Sequence, residues 1–222
     1  MGTITRTFAN NITTSGVFKP TAFNNASFDN VTAVPGGALE GGNMVLLSTQ
    51  TASGDASISF TTGIDSTYKE YMFVFNNIHP ATDSVQFQFN LSTDGGSSYN
   101  VTKTTTSFGS DHNEADTYAF IGYGTGSDLA QSTSDQVFSY GGTTLGNGGD
   151  ENMVGTFSLF NPSSTTYVKH FIIVSQMNSS DNYSHQTFTA GYGNTTSAIN
   201  AIQFTMSSGN IDDGTIQMFG IL

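Results

Sequence analysis

The strongest constraint on this chain is a two-residue alternation that returns along most of its length. In Val85-Gln86-Phe87-Gln88-Phe89-Asn90-Leu91 every second residue is apolar and the intervening ones are amides. Successive side chains of a strand point to opposite faces, so Val85, Phe87, Phe89 and Leu91 share one face. Comparable runs, separated by Gly, Asn, Asp and Ser, predict strands at Met44–Thr51, Ala56–Thr61, Glu70–Ile78, Ser84–Leu91 and Tyr99–Thr105. Further runs predict them at Gln136–Tyr140, Met153–Phe160, Thr166–Gln176, Gln186–Tyr192, Ala198–Met206 and Thr215–Ile221. Tyr71 to Phe75 and Phe171 to Val174 are apolar on both faces, as central strands are. No window carries a long i, i+3, i+4 apolar stripe. The pattern predicts an all-β fold, an antiparallel β-sandwich of jelly-roll type over residues 43–222. The stretches 106–135 and 141–151 are expected to be surface loops or a short helix.

Residues 1–42 read differently. Phe18, Phe23 and Phe28 recur every five residues, a spacing that fits neither a strand face nor a helix face. The segment has enough apolar residues to pack on something and too little periodicity to fold alone. Two readings stay open: an extended N-terminal arm docking on a neighbouring subunit or larger scaffold, and an irregular wrap around its own domain. The glycine-rich stretch from Pro35 to Gly42 supplies a hinge.

Composition narrows the function. Charged residues make up 10% of the 222, with Thr, Ser, Asn and Gly in their place, while 18 Phe and 9 Tyr supply a core. The net charge of −12 sets 17 acids against Arg6, Lys19, Lys69, Lys103 and Lys169, no two of them adjacent in sequence. Nucleic acid needs clustered cations, and an anionic membrane surface needs the same, so neither is an expected partner. The charge is expected to keep a Phe-rich protein soluble. With no cysteine there is no disulfide, thiolate metal site or thiol nucleophile. The opening MGTITRTFANNITTSG lacks the apolar core of a signal peptide, and no apolar run approaches a membrane span. Sequons at Asn11, Asn25, Asn30, Asn90, Asn100, Asn178, Asn182 and Asn194 then follow from composition rather than marking glycans.

The motifs that carry chemistry elsewhere each have a plainer structural explanation here. Ser92-Thr93-Asp94-Gly95-Gly96-Ser97-Ser98-Tyr99 fits the Asp-box turn of sialidase-like propellers, but it occurs once, whereas a propeller needs a repeat. Asp-Gly-Gly supplies the positive-φ positions of a tight turn, and Asp94 can bond its own backbone. The run Asp111-His112-Asn113-Glu114-Ala115-Asp116 lacks the alternating ligands of a calcium loop. His79, His170 and His185 stand too far away in sequence for zinc spacing, so a solvated loop is expected. His79, before Pro80, reads as a turn residue, and His170 falls within a strand. There is no G-x-S-x-G elbow and no phosphate-binding G-x-x-x-x-G-K-[ST]. Paired glycosidase carboxylates have no motif to find, and with no Trp any sugar platform would rest on Tyr or Phe. The expectation is a non-enzymatic chain with no catalytic, cofactor-binding or metal-ligating residue and no cofactor.

Several segments carry a family resemblance: GIDSTYKEYMFVFNNIHPATD (63–83), LSTDGGSSYN (91–100), DLAQSTS (128–134), FNPSSTTYVKHF (160–171), GYGNTTSAINAIQF (191–204) and MSSGNIDDGTIQMFGI (206–221). Across most of 63–221 the chain resembles virion structural proteins of marine tailed bacteriophages. The opening TRTFANN…SG (5–16) is similar to attachment leaders of phage appendage proteins. The resemblance implies a component of the virion exterior: a capsid decoration protein, a head fibre or a tail-fibre module. It implies major capsid or tail proteins as partners, held through the arm. An arm that cannot bury its own Phe residues, joined to a domain rich in edge strands, leads us to expect a homotrimer. The alternative is a carbohydrate- or receptor-binding module, since β-sandwiches bind host glycans through loops rich in Tyr, Asn and Asp. A glycan-degrading enzyme is a third reading and needs two carboxylates converging in a cleft.

Overall fold

Strands that are apolar on one side need a second layer to bury that side. In the computed structural model, which describes residues 44–222, the second layer is another sheet. The strands are β1 Met44–Thr51, β2 Ile58–Phe60, β3 Glu70–Pro80, β4 Phe87–Ser92, β5 Lys103–Asn113 and β6 Ala119–Tyr123. They continue with β7 Gln136–Val137, β8 Met153–Phe160, β9 Lys169–Asn178, β10 Tyr183–Gly193, β11 Ala201–Met206 and β12 Ile211–Ile221. Eight form an antiparallel sheet in the order β1-β12-β3-β8-β9-β10-β5-β6, and four form a second, β2-β11-β4-β7. The chain changes sheets at β2, β4, β7 and β11 and returns each time, a jelly-roll-like crossing pattern. The described residues contain no helix. The expected all-β antiparallel sandwich is therefore present, while the arm at 1–42 lies outside the described residues.

Between the sheets the core is phenylalanine. Phe204 of β11 sits against Phe60, Phe73, Phe75, Phe87 and Phe138, with ring centroids 5.2 to 6.3 Å apart. Phe89 extends the cluster to Phe157 and Phe171 at 4.8 and 5.3 Å, edge to face. Val85, Phe87, Phe89 and Leu91 are all buried, as their alternation predicts.

The main departure from the sequence expectation falls in 106–135. Strand β5 runs to Asn113 and pairs with β10 along its whole length, and β6 follows it as the sheet edge. The inward side chains of β5 include Lys103, Thr105 and Ser107, all buried, so the strand shows no hydrophobic alternation. Instead of facing the phenylalanines, this flank is covered by the segment 124–143. Thr105 N donates to Leu129 O, Gly124 N to Ser107 O, and Lys103 pairs with Ser132.

The fold predicts unequal costs for its two kinds of apolar side chain. Phe204→Ala removes a ring shared by both sheets and is expected to cost about 3–5 kcal/mol in chemical denaturation. Ile172→Ala, on the outer side of β9, is expected to cost well under half of that.

Candidate functional site

Two places in the domain gather side chains that the core does not need. The first is the polar flank under 124–143. Asp111 accepts hydrogen bonds from the Tyr140 hydroxyl at 2.8 Å and from His185 Nδ1. His185 is buried, its ring stacks on Tyr140 at 4.8 Å, and Nε2 accepts the backbone N–H of Tyr140 at 3.4 Å. That pattern assigns the proton to Nδ1. Burial lowers the His185 pKa, and Asp111 opposes the shift. Through these bonds the triplet ties β5 and β10 to the covering segment. A side chain at Gly109 would collide with the Tyr140 ring, which explains the glycine there.

At the other end of β5, Lys103 is fully buried. Its Nζ donates to Asn90 Oδ1 at 2.6 Å and to Val101 O at 2.9 Å. Asn90 Nδ2 in turn donates to Asp135 Oδ1 at 2.8 Å, and Gln88 Nε2 to Asp135 Oδ2 at 2.8 Å. Burial pulls the Lys103 pKa down to about 8, against the pull of Asp135. Lys169 lies in the same transverse row, both lysines pairing with Gly193 on β10. Its Nζ donates to Tyr167 O and Thr195 O, and burial lowers its pKa too. Two cations that sequence leaves far apart are thus brought together, each occupied in tying down chain at the strand ends.

The sequence-flagged motifs resolve into structure. Asp94 Oδ1 accepts from Ser92 Oγ at 2.6 Å and Ser98 N at 2.9 Å, bonds that hold its carboxyl below the usual range. Gly95 and Gly96 take φ of +73° and +89°. In the Asp111–Asp116 run, Asp111 points inward, contrary to the solvated loop expected. His112 and Asp116 pair at the surface at 3.1 Å, and Asn113 closes the turn through Thr117 N and Tyr118 N. His79 ends β3 with Nε2 against Gly148 O, and His170 is exposed on β9. Among the described residues no three His, Asp or Glu side chains gather as a metal site would require, and no helix is long and apolar enough to cross a membrane.

The second place is the outer face of the eight-stranded sheet. Strand register sets its outward side chains in transverse rows. One row runs Phe108, Phe188, Val174, Thr156, Val74, Gln217, Thr49. The next runs Thr106, Ala190, Ile172, Ser158, Met72, Phe219, Leu46. A third holds Thr104, Tyr192 and His170 on one side, and Phe160, Glu70, Ile221 and Met44 on the other. Phe108 and Phe188 stack at 5.2 Å while remaining 46% and 37% exposed, and Ile172 is 49% exposed. Between the first and third rows an open trough of about 550 Å³ is lined by Thr106, Ala190, Ile172, His170 and Tyr192. Glu70 is the one carboxylate in these rows, and Ser158 Oγ donates to it at 2.8 Å.

Sequence reading places most of the strands but misses β6, most of β5 and this face as a surface. The signal was present in Tyr71–Phe75 and Phe171–Val174, apolar on both sides, which predicts cover on both sides. The Asp111–His185–Tyr140 clamp left no comparable trace, because its members lie far apart in the chain. No protein-family model, curated protein or solved structure matches the chain.

Lys103 gives the site a pH signature. The folded state releases its proton near pH 8, while the unfolded chain holds it to about 10.5, so stability rises with pH across that window. Between pH 8 and 9.5 the urea-unfolding free energy is expected to increase on the order of 1–2 kcal/mol relative to Lys103→Met, which lacks the titrating amine. Parallel curves for the two proteins would refute the assignment.

Proposed function

We propose that the chain is a non-enzymatic assembly component of a tailed-phage particle, displayed on its exterior as a capsid decoration protein, head fibre or tail-fibre module. The observation that carries the assembly part is the broad, nearly uncharged apolar outer face of the larger sheet, since patches of this kind mark contact surfaces. The phage part rests on the resemblance spread over 63–221. In this reading residues 1–42 anchor the domain to capsid or tail proteins by strand addition, and the sandwich projects outward. The chain makes contacts, and no bond is made or broken.

A second reading, a glycan-binding module, is favoured by the trough. Tyr192 and His170 lie 6.0 Å apart beside the Thr104 and Thr106 side chains, apolar ring next to hydroxyl, as a sugar ring requires.

Immunogold microscopy with antibody against residues 44–222 is expected to label intact tailed particles, and deletion of 1–42 to abolish attachment. Unlabelled particles, with an antibody that recognises the purified chain, would overturn the virion reading. A glycan array separates the two readings: an assembly component gives a blank array, and selective hits abolished by Tyr192→Ala would establish the binding module.

A further inference from the structure

We infer that the outer face of the eight-stranded sheet is the surface through which copies of this chain associate, the rows around Ile172 and Phe188 packing on the same rows of a second copy. The inference rests on the assembly reading above and names its partner.

The two outer faces of the sandwich are unlike. On the small sheet the outward residues are Ser59, Gln88, Gln203 and Thr205, joined as Gln203 Nε2 to Ser59 Oγ at 3.1 Å and Gln88 Nε2 to Thr205 Oγ1 at 3.2 Å. That is a water-facing surface. On the large sheet the corresponding rows mix Thr, Ser and Gln with large apolar side chains, Phe108, Phe188, Ile172, Val174, Met72 and Phe219 among them. Strands β3 and β9 carry apolar residues on both faces, as strands covered on both sides do, yet among the described residues only the inner face is covered.

Charge selects the partner. Residues 1–43 hold Arg6, Lys19, Asp29 and Glu40; the other 15 acids and three lysines belong to 44–222, and Lys103 and Lys169 are buried. The domain surface is thus acidic with Lys69 as its one exposed cation. Two like-charged copies repel wherever carboxylates face each other. In the three rows the one carboxylate is Glu70, already bonded by Ser158. This face lets two copies approach, and an uncharged surface is complementary to itself, as a symmetric contact requires.

Size agrees. From β5 to β1 the face crosses seven strands, roughly 30 Å at about 4.8 Å spacing, and three rows with their margins span about 20 Å. The projected area, about 600 Å² per copy before side-chain relief is counted, approaches the roughly 800 Å² that each partner buries in a stable complex.

The test is sedimentation velocity with light scattering on the full chain, beside Ile172→Lys and Phe188→Glu in the full chain. Both side chains point outward from different strands, and circular dichroism checks that each variant folds; loss of one variant leaves the other. A defined oligomer whose dissociation constant rises roughly a hundredfold or more in either folded variant supports the inference. A monomeric wild-type chain overturns it, as does an oligomer unchanged by both variants, which would place association on the arm or the sheet edges. A monomer that binds saccharide through these residues also overturns it and assigns the face to a glycan. Because self-association is read on purified chain and attachment on particles, either idea can fail without the other.

Discussion

The structure hangs on the ring of contacts around Phe204. A sheet cannot bury its own face, and in this chain the short sheet is the lid that keeps the longer one dry. β11 carries the residue at which that lid closes: Phe204 meets rings from β2, β3, β4 and the segment after β7. Phe60 and Phe75 meet Phe204 edge to face and Phe87 stacks on it, directional contacts that bear on the offset of the two sheets. Everything else, including the polar flank and the outer rows, takes its position from that offset.

How legible this was depended on whether burial left an apolar mark. The runs 85–91, 71–75 and 171–174 announced strands because their inward residues are Phe, Leu, Ile and Tyr. The predicted ranges of β1 and β8 coincide with those found. Strand β5 left its mark only at its start, within the predicted run Tyr99–Thr105. Lys103, Thr105 and Ser107 face inward and are held by hydrogen bonds, such as Lys103 Nζ to Asn90 Oδ1 at 2.6 Å and Thr105 Oγ1 to Gln136 Oε1 at 2.7 Å. A pattern rule that equates buried with apolar has no means of finding the rest of such a strand.

The same logic governs the candidate sites. Asp94 could be understood locally, because its partners Ser92, Ser97 and Ser98 all stand within the same turn. His185 could not: its neighbours Asp111 and Tyr140 are defined by the fold alone. The outer face was half legible. Both-sided hydrophobicity was visible in the sequence, but which side would be left open depends on where the second sheet packs, which only the fold defines.

The burial of Lys103 and Lys169 has a practical consequence. Of the primary amines between residues 44 and 222, Lys69 alone stands in solvent, beside the start of β3. An acylating dye or crosslinker would therefore mark the folded domain at one known corner, giving a single fixed reference point from which its orientation on any larger object can be measured.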